Sequence, residues 1–226
     1  MTSKAFALLS GGVDSTTALY IAMEQFAHVE AISIDYGQRH KKEIEYAKKT
    51  CAKFNLKHTI LPISGIVPKT MLTDTNAQIP NVSYDEIKGV SPTYVPFRNG
   101  LMLAALASYA SGNLPDDIVE EHALFFGAHA EDAKNWAYPD CTPEWIGAMG
   151  NAIFIGSYYR LRLHAPLMWM RKDEIISRGE HAGVDWVNTW SCYAGGEHHC
   201  GTCPTCKARK QAFLQADVTD PTVYEN

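Results

Sequence analysis

Nothing in the 226-residue chain approaches the run of roughly 20 apolar residues that a membrane-spanning helix needs. The start of the chain holds one lysine and an apolar run that stops at Gly11. That is too short for a secretory leader and has no small-residue cleavage site. Positive charge is also scarce: 20 Lys and Arg stand against 25 Asp and Glu, a formal net charge of −5. Coating nucleic acid or an anionic membrane needs a positive field, so neither is expected as a direct partner. There is no internal repeat and no low-complexity segment. Two common nucleotide loops are missing, Gly-x4-Gly-Lys-Ser/Thr and Gly-x-Gly-x-x-Gly. What remains is a cytoplasmic globular chain whose length suits one domain with a small appendage and buries a core without disulfides.

The cysteines are few but clustered. Of six, Cys192, Cys200, Cys203 and Cys206 fall close together as Cys-x7-Cys-x2-Cys-x2-Cys. Thiols stay reduced in the cytoplasm, so such a cluster reads as metal ligands rather than disulfides. Two-residue gaps let thiolates converge on one ion, and four thiolates suit tetrahedral Zn²⁺ in a closed, structural site, one ion per chain. An iron–sulfur cluster takes the same ligands; zinc is preferred. His198 and His199 are expected to be exposed loop residues. Cys51 lies on an apolar helix face, and Cys141 reads as a small buried residue.

Along the chain, Ala5 to Leu9 is an apolar run closed by Ser-Gly-Gly, a buried strand entering a tight loop. Residues 14–25 read as a helix and 29–34 as a second strand. Ile44, Ala47, Cys51 and Phe54 recur at helical spacing, with lysines largely elsewhere on the wheel. Residues 57–63 are a third strand. This alternation predicts a parallel sheet wound right-handedly. Residues 64–93, with Pro68, Pro80 and Pro92, read as a long loop over the working edge of the sheet. Beyond it come a helix over 99–109, a strand over 123–127 and a helix over 142–158 with Pro143 in its first turn. A strand over 161–164, a helix over 171–181 and a last helix over 205–215 follow. The expected fold is α/β, a Rossmann-like parallel-sheet body over 1–187 with a zinc-binding segment over 188–226 packed on it.

Ser10-Gly11-Gly12-Val13-Asp14-Ser15 joins the first strand to the first helix. A pyrophosphate must approach backbone amides closely, which favours glycine, and gains from facing the positive end of a helix. Ser10, Ser15 and Thr16 add hydroxyl donors. A plain glycine turn, capped by Asp14 or Ser10, needs only part of this pattern; the whole hexapeptide in this place points to phosphate. Asp14 is open to two roles, helix cap or Mg²⁺ ligand.

Six segments carry a resemblance. They are residues 9–17 (Leu-Ser-Gly-Gly-Val-Asp-Ser-Thr-Thr), 35–40 (Asp-Tyr-Gly-Gln-Arg-His), 94–99 (Tyr-Val-Pro-Phe-Arg-Asn) and 138–141 (Tyr-Pro-Asp-Cys). Ala165-Pro166-Leu167 with Lys172, and Ser191-Cys192-Tyr193 with the cluster, complete the set. Together they resemble the 7-cyano-7-deazaguanine (pre-Q0) synthase family of the PP-loop, or adenine nucleotide α-hydrolase, superfamily. Three places depart from the family pattern. Thr142 stands where arginine is common and Phe97 where glycine is common, and residues 127–132 read Gly-Ala-His-Ala-Glu-Asp rather than Gly-Val-Cys-Glu-Thr-Asp.

The resemblance implies a homodimeric ATP-dependent ligase with Mg²⁺. It would convert 7-carboxy-7-deazaguanine and ammonia to the nitrile through two adenylated intermediates, mainly by positioning and charge stabilisation. It implies that Leu9, Ser10, Gly11, Gly12, Val13, Asp14, Ser15 and Thr16, with Gln38, Arg39 and His40, hold ATP. For catalysis it implies Arg98, Asp132, Asp140 and Lys172. The two arginines suit phosphate or carboxylate, the two aspartates a guanine-like edge, and the lysine the leaving group. Asp140 as a helix cap and Lys172 as a solvated helix residue are the plain alternatives. Two other functions remain on the sequence alone. One is a related ligase joining the same carboxylate to another amine, such as a protein N-terminus; the other is a zinc-binding adaptor without catalysis.

Overall fold

The computed structural model describes residues 3–83, 86–114, 120–129 and 131–225. Residues 84 and 85 of the loop expected over 64–93, and Ala130 of the departing stretch, lie outside the described residues. The strands are β1 (Lys4–Leu8), β2 (His28–Asp35), β3 (Lys57–Pro62), β4 (His122–Phe125) and β5 (Leu161–His164). They pair in the order β3-β2-β1-β4-β5, every pair parallel. The chain runs outward from β1 through β2 to β3, then returns to the other side of β1. The order therefore reverses between β1 and β4, and ligands of such sheets bind beyond the strand ends at that point.

The strands fit their layers by side-chain size. Ala5, Ala7, Ala31 and Ala123 face one side, where α1 (Val13–Gln25), α2 (Lys42–Lys53), α5 (Lys172–His181) and α6 (Pro204–Gln215) pack. Small residues there let helices sit close. Phe6, Leu8, Ile32, Ile34 and Leu124 face the other side, against α3 (Arg98–Gly112) and α4 (Pro143–Gly156). Each such side chain contributes about 1.5–3 kcal/mol when fully buried. Ala212 and Phe213 of α6 belong to the same apolar cluster as α1 and α5, so the cysteine-bearing segment packs on the sheet's helix layer. Among the described residues no helix is long and apolar enough to cross a membrane.

The expected elements are all present, with their ends shifted. Thr142 precedes α4 and caps it, its Oγ1 accepting from the Trp145 amide at 3.3 Å, so Pro143 takes the first helical position. β4 ends at Phe125, because the chain must then run against the phosphate loop. A Cβ on Gly127 would meet the Ser15 nitrogen at 2.9 Å. Phe97 has φ +53°, the left-handed region that glycine adopts freely. This is a backbone reason for glycine there in the family. In this chain the Phe97 ring lies over Gly100 and edge-on to Trp145, with centroids 6.1 Å apart.

Gly11 makes the closest backbone contact of the loop. Its φ is +91°, and a Cβ would stand 2.1 Å from the Glu43 carbonyl oxygen in α2. Gly11→Ala therefore combines left-handed strain with overpacking. It is expected to cost about 3 kcal/mol, read as a lowered midpoint in chemical denaturation.

Candidate functional site

The loop after β1 opens into a cavity of about 640 Å³ at the sheet's reversal point. Its hydroxyls are knitted together. Ser10 Oγ lies 2.9 Å from Ser15 Oγ, the Ser10 amide donates to Ser15 Oγ at 3.1 Å, and the Gly12 amide donates to Ser10 Oγ at 3.2 Å. Helix α1 then starts with no side-chain cap on its first amides. Those donors and the helix's positive end face the cavity, an arrangement suited to an anion. Leu9, Ser10, Gly12, Val13, Asp14 and Ser15 all line it. Gly11 instead seats the loop on α2, and the Thr16 hydroxyl is buried within α1.

Asp14 does not cap its helix. Its carboxylate takes the Lys172 ammonium at 2.6 Å, and Lys172 is the first residue of α5. Burial alone would raise the Asp14 pKa, but the Lys172 charge and His129 hold it below the usual carboxylate range. His129 Nε2 stands 3.8 Å from Asp14 Oδ2 and 3.3 Å from Asp132 Oδ2. Lys172, His129, Glu131 and Asp132 are thus cavity walls, and Lys172 is no solvated helix residue.

Arg98 begins α3 on the opposite wall. Its guanidinium donates to Tyr36 Oη at 3.4 Å and to Asn99 Oδ1 at 3.3 Å. Among the described residues no carboxylate stands within ion-pair distance of it. A half-buried guanidinium without a countercharge is costly until an anion arrives. Gln38 and His40 also line the cavity. The Gln38 amide braces its own turn through the Tyr36 nitrogen and the Ile34 oxygen, and His40 Nε2 lies 3.3 Å from Glu43.

Besides Gly11 and Thr16, two further expected site residues are placed elsewhere. Arg39 is not a cavity wall; its guanidinium donates to the carbonyls of Ala77 and Asp74 and so fastens the long loop. Asp140 is buried behind the cavity and accepts from the Asn99 amide at 3.1 Å, capping α3 from outside. Burial raises its pKa. It does not cap α4, the helix that follows it in sequence, which Thr142 caps. Cys141 does line the cavity, but burial pushes its thiol well above the usual range, so it is no ready nucleophile.

The four clustered cysteines present sulfurs within 4.8 Å of one another, close enough to hold a metal ion together. Two amides already point at sulfur: Cys200 to Cys192 Sγ and Cys203 to Cys200 Sγ, each 3.3 Å. His198 is exposed as expected, but His199 is buried. Its Nε2 accepts from the Ser191 amide at 3.0 Å, and its ring packs on Trp190 at 4.1 Å. The Trp190 amide in turn donates to Gly11 O at 2.8 Å, tying the cluster to the phosphate loop. Arg209, fully buried in α6, is held by Asp220, Thr189 and the Trp186 carbonyl, and Tyr224 donates to Asp220.

Sequence reasoning singled out the segments of His129, Ser191 and Tyr193 but gave these residues no role; all three turn into the cavity. That reasoning missed a face of α6, Lys207, Gln211 and Gln215, which reaches the same cavity. The spacing of those three at four-residue steps was the available signal.

Comparison with known proteins adds a second line. The family described as Queuosine biosynthesis protein QueC matches residues 4–217. A 7-cyano-7-deazaguanine synthase of Methanoregula boonei is 41% identical over 224 residues, covering 98% of this chain and 99% of that protein. One from Caldicellulosiruptor bescii is also 41% identical over 224 residues, covering 98% of this chain and 97% of that protein. One from Pseudoalteromonas atlantica is 34% identical over 228 residues and covers 100% of both chains.

The Arg209–Asp220 pair gives a direct stability test. Asp220→Ala leaves a buried guanidinium without its countercharge. Stability should fall by about 3 kcal/mol, a drop in Tm of roughly 10 °C by calorimetry.

Proposed function

The chain belongs to the QueC family of queuosine biosynthesis proteins, and on that footing we propose that it is an ATP-dependent carbon–nitrogen ligase. It converts 7-carboxy-7-deazaguanine and ammonia to 7-cyano-7-deazaguanine. The observation that carries this reading is the pairing, in one cavity, of the uncapped start of α1 with Arg98 on the facing wall. One suits a polyphosphate and the other a second anion, the carboxylate to be activated.

The substrate carboxylate attacks the α-phosphorus of ATP, and pyrophosphate leaves with the electrons of the broken P–O bond. Ammonia adds to the acyl carbon, gives up a proton and expels AMP, leaving the amide. The amide oxygen attacks a second ATP with loss of pyrophosphate. Departure of AMP and the remaining N–H protons leaves the nitrile. In this scheme the loop amides hold phosphates, Arg98 orients the carboxylate, and Lys172 balances charge on the departing pyrophosphate. Asp132 accepts hydrogen bonds from the guanine-like edge, and Asp140 keeps α3, and with it Arg98, in place. Asp14, a cavity wall beside the loop, would hold the Mg²⁺ that accompanies ATP, and the ion would supply positive charge against the phosphates.

A single Zn²⁺ fits the four thiolates. Sulfurs this close surround one ion, whereas a cubane of irons would hold them further apart. With every position filled by protein the ion is structural. On this reading the 1–187 body carries the chemistry and 188–226 braces it. The enzyme works in the cytoplasm on ammonia, without nucleic-acid or membrane partners. It acts as a homodimer, a state that the large exposed rings of Tyr158, Tyr159 and Trp169 support.

Purified protein with ATP, Mg²⁺, ammonium and 7-carboxy-7-deazaguanine should yield the nitrile, AMP and pyrophosphate by mass spectrometry. Amide without nitrile would point to transfer onto another amine. A folded, zinc-loaded sample that cleaves no ATP would sink the enzyme reading and leave the adaptor. Arg98→Lys loses the planar fork and should lower kcat/KM for the acid by about tenfold or more in steady-state assays.

A further inference from the structure

Among the described residues, His129 is a cavity wall that makes contacts toward both halves of the site while holding a hydrogen bond to neither. It is 2% exposed, and neither ring nitrogen has a hydrogen-bond partner. Leaving a buried polar group unpaired costs about 1–3 kcal/mol. Groups of that kind persist where something completes them.

The backbone explains how the ring arrives there. Gly127 presses on Ser15 and Asp14 of the phosphate loop, so close that a Cβ would meet the Asp14 carbonyl carbon at 3.0 Å. Two residues later the imidazole stands beside the Asp14 carboxylate. Asp14 belongs to the nucleotide side of the cavity, where Lys172 holds it. Asp132, at the same ring nitrogen, faces the acceptor side; its charge bears on Tyr138, Asp140 and Cys141. Nε2 is 3.3 Å from Asp132 and 3.8 Å from Asp14, within contact of both and aligned with neither.

We propose that His129 is a positioning residue that couples the two ligands. On this view, filling either half swings a carboxylate into line with the ring and thereby sets the other carboxylate for its own ligand. The inference rests on the reading under Proposed function, since it takes Asp14 as facing ATP and Asp132 as facing the deazaguanine acid.

The test is calorimetric. The Kd of α,β-methylene-ATP is measured with and without saturating 7-carboxy-7-deazaguanine, on the full-length, zinc-loaded protein. The unsubstituted protein should show coupling of about fivefold or more, and His129→Ala should bring it near unity. Each ligand alone should still bind the variant within about threefold of the original affinity, with zinc content unchanged. In turnover kcat should fall on the order of a hundredfold, while KM for ammonium stays in place. His129→Gln, which keeps a side-chain amide of similar reach, should recover part of the coupling. It also carries the measurement if the alanine variant unfolds. A merely structural histidine would lower Tm and leave the coupling factor alone, and coupling retained in both variants would overturn the inference. An unsubstituted protein that binds the nucleotide but not the acid would overturn the functional reading itself, and shows itself before any substitution is made.

Discussion

A loop that offers its backbone to phosphate needs a rigid seat, and in this protein the seat is the contact of Gly11 with α2. With no side chain in between, the loop rests directly on the Glu43 carbonyl, and Ser10, Gly12, Val13, Asp14 and Ser15 line the cavity. The Gly11 carbonyl accepts from Trp190, so the same residue fastens the cysteine-bearing segment. Gly127 repeats the device from β4 by lying on the Ser15 nitrogen. Through these two glycines α2, the Trp190 segment and the exit of β4 each make backbone contact with the phosphate loop. The nearness of His129 to Asp14 follows from that.

Charge is distributed unevenly around the cavity. The cations Lys172 and Arg209 are each matched by a carboxylate, Asp14 and Asp220. Arg98 is not. Matched pairs keep the empty site stable, whereas an unmatched guanidinium creates a standing preference for an anion. On the proposed reading, an incoming polyphosphate would compete with Asp14 for Lys172, while a carboxylate would meet no rival at Arg98. The site would then separate two anions by what each displaces.

The fold was largely legible in the sequence because period and punctuation agree. Alternating apolar strands, amphipathic helices, Thr142-Pro143 and the Ser-Gly-Gly turn all act locally, so their effects can be read locally. Most of the phosphate loop was legible for the same reason: its chemistry is backbone chemistry at a known join. Side-chain direction was not. Arg39 turns to the Asp74 and Ala77 carbonyls, which lie in an aperiodic loop whose path no spacing encodes. His199 looks like a polar loop residue, yet Trp190 and Ser191 bury it from a turn earlier in the chain. Asp140 and His129 depend on which side of β4's exit the chain passes, a matter settled by the fit of Gly127.

The register of the central strand has a consequence for synthesis. Ala5 pairs early with Val29 of β2, but its other neighbour in the sheet is Ala123, about half the chain away. At about 5–20 residues per second, one edge of β1 waits roughly 6–24 seconds for its partner to leave the ribosome. An unpaired inner edge is a template for stray strands. The cavity wall and the protection of that edge arrive in the same event, so a nascent chain is most exposed to misassembly in the interval before it has a binding site at all.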